Sequence, residues 1–229
     1  MHERLCQRVL SANVELAARG LVHAHLGNVS EVDREGGIVA IKPSGIPYDE
    51  LRVDDVSIVS LEDGEHRAGL RPSSDTPTHL GPYRAHEKVV GVAHTHSTYA
   101  TSWAQARRPS PCLGSTHADH FPGPVPCARA LRDAECGGHY ERLTGLAIVE
   151  AIDRLDPLEV PAVLVASHEE FAWGRPAPEA VESAAALEKV ARVALNAMLL
   201  DTALKPIPDA LLEWHFRGKH GHSAYQGQW

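Results

Sequence analysis

The sequence lacks any run apolar enough or long enough to span a bilayer, so no transmembrane helix is expected. Its start, M-H-E-R-L-C, has no apolar core of the kind a secretory signal carries. Cysteine is scarce: the four are Cys6, Cys112, Cys127 and Cys136, with no C-x-x-C pair and no framework spacing. This pattern argues against a disulfide scaffold and for reduced thiols in a cytoplasmic protein. Positive charge is also short. Lys and Arg number 22 against 30 Asp and Glu, a formal net charge of -8, which argues against nonspecific attraction to nucleic acid or an acidic membrane. Internal repeats and low-complexity segments are absent. What is left is a chain of 229 residues, long enough to bury a sizeable core and readable as one domain, 1–229.

The stretch that carries most chemistry runs from Arg71 to Thr101. Val89, Val90, Val92 and Ala93 read as a short buried strand running into His94-Thr95-His96. Residues two apart on a strand face the same way, so His94 and His96 form either a polar strand end or a pair of imidazole ligands. Imidazole suits zinc, and a carboxylate can complete the set. Ser-Ser-Asp-Thr-Pro reads as a helix start, with one of Ser73, Ser74, Asp75 or Thr76 capping a helix that runs to about Ala85.

Elsewhere, Glu3 to Arg19 is helical in pattern, with Leu5, Val9 and Leu16 on one stripe and Gly20 as its stop. Leu26 to Ser30 carries a turn signal. Ile38 to Ile41 is a strand that empties into Lys42-Pro43-Ser44-Gly45, either a plain turn or a phosphate-sized anion site. Val56 to Leu61 reads as a strand and Glu62-Asp63-Gly64 as a hairpin turn. Thr98 to Ala106 reads as a short helix. Leu113 to Phe121, holding His117, Asp119 and His120, reads as a loop. Ala162 to Ala166 is a strand ending at Ser167-His168, which suggests a third imidazole at the same rim. Glu179 to Leu200 is the clearest helix, with Ala186, Val190, Val193, Ala194 and Ala197 as its apolar face. Hairpin-like connections between strands and helices argue for a mostly antiparallel or mixed sheet with helices packed on it, in an α/β or α+β layered domain.

Taken together, G-N-V-S (27–30), K-P-S-G (42–45), P-S-S-D-T-P-T-H (72–79), H-T-H-S (94–97), T-H-A-D (116–119), S-H-x-x-F-A-W-G (167–174) and K-H-G (219–221) resemble the L-ribulose-5-phosphate 4-epimerase family of the class II aldolase/epimerase superfamily. The resemblance runs from about residue 5 to residue 228. It implies a single-domain α/β fold with a central, mainly antiparallel sheet flanked by helices. It also implies a homotetramer with active sites between neighbouring subunits and a sugar phosphate as substrate. Carried over by position, it implies Asp75, His94, His96 and His168 as the metal site, for Zn2+ or alternatively Mn2+ or Co2+. Asn28, Lys42, Ser44, Gly45, Ser73 and Ser74 would hold substrate and phosphate. Thr116, Glu141 and His215 would be further polar residues of the pocket, and Asp119 a catalytic acid/base.

The chemistry implied is metal-assisted. C4 of ribulose 5-phosphate has no acidic proton, so inversion there calls for cleaving the C3–C4 bond, rotating the aldehyde and re-forming the bond on its other face. Each face needs its own proton donor and acceptor. Two departures from the family pattern stand out. The family tail carries a second, catalytic Tyr where this chain has Gln226, which is no acid/base near neutral pH; Tyr225 is the candidate to replace it. Glu169-Glu170 also follow the third His, where the family has Gly-Pro. These carboxylates could crowd a metal, add a ligand, bind a cationic group or be solvated. Three functions follow in order: a 4-epimerase, an aldolase sharing the cleavage half-reaction, and a non-catalytic binding protein on the same fold.

Overall fold

The computed structural model describes residues 2–221. The predicted first stripe is realised in α1, Glu3–Ala18, which buries Leu5, Cys6, Val9, Ala12, Asn13 and Leu16. Gly20, at φ +69°, ends it. The N–H groups of Gly20 and Leu21 reach back to the carbonyls of Ala17 and Leu16, a closure that suits a residue at ease with positive φ.

A four-strand meander follows: β1 (Asn28–Asp33), β2 (Ile38–Ile41), β3 (Ser57–Ser60) and β4 (His66–Ala68). The remaining elements are α2 (Thr76–Ala85), β5 (Gly91–Thr95), α3 (Thr98–Gln105), the single turn α4 (Ser115–Ala118), β6 (Cys127–Ala128), α5 (Tyr140–Ile152), β7 (Ala162–Val165), β8 (Glu170–Gly174), α6 (Ala177–Leu200) and α7 (Asp209–His220). The eight strands form one sheet in the order β4-β3-β2-β1-β5-β8-β7-β6, and among the described residues only the β6–β7 pairing is parallel. This is the mixed, mainly antiparallel sheet that the short connections imply.

Strand alternation divides the core in two. Val92, Val163 and Phe171 pack with Leu80 and Tyr83 of α2 and Ile148 and Ile152 of α5. Ala93, Leu164 and Ala172 pack on the other face with Leu16 of α1, Trp103 of α3 and Leu187 of α6. Buried polar side chains tie helices to strands. Asn13 of α1 bonds both the N–H and the C=O of Val29. Glu31 of β1 accepts the Ala177 N–H at 2.9 Å, at the first turn of α6. Glu188 of α6 accepts the N–H groups of Tyr99 and Ala100, which would otherwise be orphan donors at the start of α3.

Several sequence readings are corrected. The α6 face that meets the sheet is Ala180, Val181, Ala184, Leu187, Val190, Ala191 and Ala194, while Val193 is 45% exposed. The helix runs past the sheet, and an apolar residue off that stripe has no core to enter. Residues 26–30 are not simply a turn, since Asn28 already begins β1. Asp75 occupies the N-cap position of α2, yet no side chain caps the helix. The 113–121 segment is not all loop, because α4 lies within it.

Candidate functional site

Antiparallel pairing brings the start of β1, the end of β5 and the start of β8 to one edge of the sheet. Asn28 and Phe171 both lie opposite His94. His94 is only 1% exposed. Its ring stacks on Phe171 with centroids 4.3 Å apart, and its Nδ1 lies 2.9 Å from the Glu170 carbonyl. An Nδ1–H donated there leaves Nε2 as the free lone pair. Burial pushes the His94 pKa down to about 4, so the ring is neutral near pH 7, the form that binds a metal. The ring of His96 lies 4.9 Å from that of His94, and the ring of His168 lies 5.3 Å from it. Burial also lowers His96, against an opposing pull from Glu169.

His168 arrives from the β7–β8 turn. Ser167, just before it, sits at φ +64°, a backbone state uncommon for a non-glycine residue. The Ser167 N–H donates to the Ala104 carbonyl at 3.0 Å, and Arg107 Nε donates to Ser167 Oγ at 2.8 Å. The end of α3 thus holds the turn that presents His168.

Asp75 turns its carboxylate away from its own helix. Its Oδ2 accepts Asn28 Nδ2 at 2.7 Å and Ser73 Oγ at 3.3 Å. Burial works to raise its pKa, but His94, His79, His168 and the Asn28 amide outweigh that and hold it below the usual range. Ser73 Oγ in turn accepts the Asp75 N–H. The missing cap is thereby explained: the Asp75 carboxylate is held by Asn28 and Ser73, and the Thr78 N–H that it would have capped donates to the Asp75 carbonyl at 2.9 Å instead.

The K-P-S-G turn is joined to this loop by the Pro43–Pro72 bridge and by the Ser44 N–H, which donates to the Arg71 carbonyl at 3.0 Å. Ser44, Gly45 and Ser74 stand toward the mouth, while Lys42 is 2% exposed at the base. Burial lowers the Lys42 pKa, and its Nζ lies 4.8 Å from the Tyr48 ring centroid. Tyr48 OH donates to the Gly27 carbonyl at 2.7 Å. Gly27 cannot carry a side chain there: its φ is +89°, and a Cβ would come 2.8 Å from the His94 carbonyl. Hydroxyls, the Lys42 ammonium and the imidazoles line one cleft of about 310 Å³. It gathers Asn28, Lys42, Ser44, Gly45, Ser73 and Ser74 with Asp75, His94, His96 and His168.

Three buried acceptor-capable atoms beside this cleft, Asn28 Oδ1, His168 Nδ1 and Glu169 Oε2, have no hydrogen-bond partner. His94, His96 and Glu169 offer ligand atoms within 4.8 Å of one another. Neutral imidazoles with carboxylates are a donor set for a divalent ion, and the residues present fit one. Neither of the two carboxylates after His168 is freely solvated: the Glu169 side chain is 15% exposed. Glu170 is 1% exposed, and it accepts from Thr95 Oγ1, Ser97 Oγ, the Ser97 N–H and Thr101 Oγ1. Burial still raises its pKa to about 7. Residue-type reasoning singled out neither this network nor Tyr48. Their signal is spatial, apart from the visible Glu-Glu pair itself.

The other predicted residues lie outside the cleft. Asp119 follows α4 and pairs with His215 of α7, Oδ1 to Nδ1 at 3.0 Å. Thr116 is exposed on α4. Glu141 is in the first turn of α5, where its carbonyl accepts Thr78 Oγ1 at 2.7 Å. Tyr225 and Gln226 lie outside the described residues.

The sequence model of the Class II Aldolase and Adducin N-terminal domain matches residues 7–195. The chain is 47% identical over 226 residues to the L-ribulose-5-phosphate 4-epimerase UlaF of Salmonella paratyphi C (strain RKS4594), covering 99% of each chain. The corresponding protein of Salmonella typhi shows the same identity and coverage. Among solved structures, an L-fuculose 1-phosphate aldolase aligns with TM-score 0.81 at 24% identity, over 95% of this chain and 96% of that one. The l-fuculose-1-phosphate aldolase of Thermus Thermophilus aligns with TM-score 0.70 at 24% identity, over 89% and 100%; these two establish the shared fold. The chain belongs to the class II aldolase and adducin family, with L-ribulose-5-phosphate 4-epimerases among its relatives.

Proposed function

We propose that this protein, one domain over 1–229, is a metal-dependent sugar-phosphate 4-epimerase that acts on L-ribulose 5-phosphate by cleaving and re-forming its C3–C4 bond. The observation that carries the reading is the joining, in a single cleft, of an imidazole cluster and a hydroxyl-rich anion end in a chain 47% identical to an epimerase.

Enzymes of this family depend on a divalent metal, and His94, His96 and His168 would hold it here with Asp75 beside them; zinc suits the imidazoles, with Mn2+ or Co2+ as alternatives. When bound, such an ion would act as a Lewis acid that offsets negative charge developing on the substrate as the bond breaks. Ser44, Ser73, Ser74 and the Gly45 amide bind the phosphate, with Lys42 supplying positive charge from the base of the cleft. Asn28 donates one amide hydrogen to Asp75, leaving its unpartnered Oδ1 to a substrate hydroxyl. Asp119 moves the proton of the C4 oxygen on one face of the aldehyde.

Asp119, Thr116 and His215 do not line the cleft of their own chain, which supports a homotetramer whose neighbours complete each site. Trp214, 73% exposed on α7, and Leu199 and Leu200, exposed at the end of α6, are large apolar side chains suited to such contacts. The four free cysteines among the described residues support a reducing, cytoplasmic location.

One observation favours a second reading. Gln226 stands where the family has an acid/base Tyr, and an aldolase needs proton transfer on one face only. The experiment is to incubate the metal-loaded protein with L-ribulose 5-phosphate and identify the products. The C4 epimer supports the epimerase. Glycolaldehyde phosphate with dihydroxyacetone supports the aldolase, and unchanged substrate defeats both.

A further inference from the structure

The proposed metal-dependent reading leaves Glu169 without a task, and the inference drawn here rests on that reading. Glu169 follows His168 in the β7–β8 turn, with its side chain 15% exposed. Its Oε1 is 3.4 Å from His96 Nδ1, and its Oε2 is 2.7 Å from His168 Nε2. The second contact is close but not aligned as a hydrogen bond, since Oε2 has no partner although it is buried. An unsatisfied buried acceptor of this kind is costly, about 1–3 kcal/mol or more for a charged group, so native structures supply it a donor or a cation. The 3.4 Å between Glu169 Oε1 and His96 Nδ1 is short enough for both atoms to reach one divalent ion. Ligand atoms of His94, His96 and Glu169 also fall within 4.8 Å of one another.

We propose that Glu169 is a ligand of the same divalent cation as His94 and His96. The carboxylate neutralises one of the cation's charges and moves the site's preference from zinc toward harder ions such as Mn2+. With a divalent ion bound, the carboxylate would fill a place beside it that a substrate oxygen could otherwise take. The Glu169 carbonyl is held by the Val165 N–H at 2.7 Å, so the carboxylate would turn toward or away from the ion by side-chain rotation with the turn left in place.

The test uses Co2+ alone, titrated into the metal-free full-length protein and its Glu169→Gln, Glu169→Ala and His94→Ala variants. Calorimetry gives Kd, the visible absorption of Co2+ reports its ligands, and circular dichroism checks the fold; two Glu169 variants are used so that misfolding of one leaves the other. The expected result is a Kd raised at least about 10-fold in both Glu169 variants, no less than the loss of a group behind a ligand costs, with a changed Co2+ spectrum. Wild-type Kd and spectrum in the Glu169 variants, with Co2+ lost in His94→Ala, overturn the role of Glu169 alone. Wild-type binding in His94→Ala overturns the metal reading of the cleft itself.

Discussion

His215 Nδ1 lies 3.0 Å from Asp119 Oδ1, and His220 Nε2 lies 2.9 Å from the Asp119 carbonyl, so α7 clamps the proposed acid/base from both its side chain and its backbone. None of these residues lines the cleft that holds His94. If a neighbouring subunit completes each site, Asp119→Asn and His94→Ala are each inactive alone yet complement one another. Asp119→Asn is expected to lower turnover about 10²–10⁴-fold. Random mixing of the two variants after reversible dissociation is expected to restore activity to about a quarter of wild type, because one site in four then draws both intact halves. No recovery in mixed tetramers, verified by mass spectrometry, would place Asp119 and His94 in separate functions.

Metal content is the next expectation. His94→Ala should lose most of its bound divalent ion while the fold survives, because Phe171 and Val92 continue to pack with α2 and α5. Elemental analysis of protein purified without chelator, alongside a thermal melt, checks both halves of the statement.

The anion end can be tested at Ser44. Its hydroxyl stands toward the mouth of the cleft, whereas Ser73 Oγ is already bonded to Asn28 and Asp75. Ser44→Ala should weaken binding of a phosphorylated ligand by about 1.5–3 kcal/mol, the range for a hydrogen bond to a charged group. The unphosphorylated sugar should be unaffected. Ser73→Ala should weaken both, because it also loosens Asp75. Calorimetry with inorganic phosphate and with L-ribulose provides the comparison.

The tail can be examined by exchange. Gln226→Tyr is expected to raise the epimerisation rate by up to about 10²–10⁴-fold, the worth of a restored general acid/base, while carbon–carbon cleavage stays dependent on Asp119. If the wild type epimerises efficiently and Tyr225→Phe abolishes it, Tyr225 holds the second-face role instead.

Stability should depend on pH in a specific direction. Burial holds His79 at about 3, and His94 and His117 at about 4, in the folded chain, against about 6.5 unfolded. Since the unfolded chain takes up these protons first, stability is full above pH 6.5 and falls as the pH drops from 6.5 toward 4. Glu170 acts oppositely. Raised to about 7 in the fold, it contributes fully below its unfolded value of about 4.3 and loses that contribution as the pH rises through 7. Three imidazoles outweigh one carboxyl, so metal-free protein should weaken on acidification from pH 6.5 to 4.5. His79→Gln should reduce that slope by about 1.4 kcal/mol per pH unit, one proton's worth. Urea midpoints across this range measure it, and an unchanged slope assigns the effect elsewhere.

Much of this architecture is legible along the chain because it is periodic or local. The α1 stripe of Leu5, Val9 and Leu16, the strand Ile38–Ile41 and the same-face pair His94 and His96 all follow from repeats of 3.6 or 2. The ordered motifs carry the family and, with it, the residues of the cleft. What the chain order could not decide is which partner each group finds. Glu169 and Glu170 are adjacent and chemically alike, and strand alternation says only that they face opposite ways. The fold sends Glu170 toward Thr95, Ser97 and Thr101, and Glu169 toward His96 and His168. Asp75 reads as a helix cap, and it is Asn28, 47 residues away, together with Ser73 that turns it into the cleft. His94 donates its Nδ1–H to a carbonyl 76 residues on. Local propensity is set by a few neighbouring side chains and can be summed along the sequence. Burial, charge pairing and the free nitrogen of an imidazole arise only when the sheet brings distant segments together and removes the water between them.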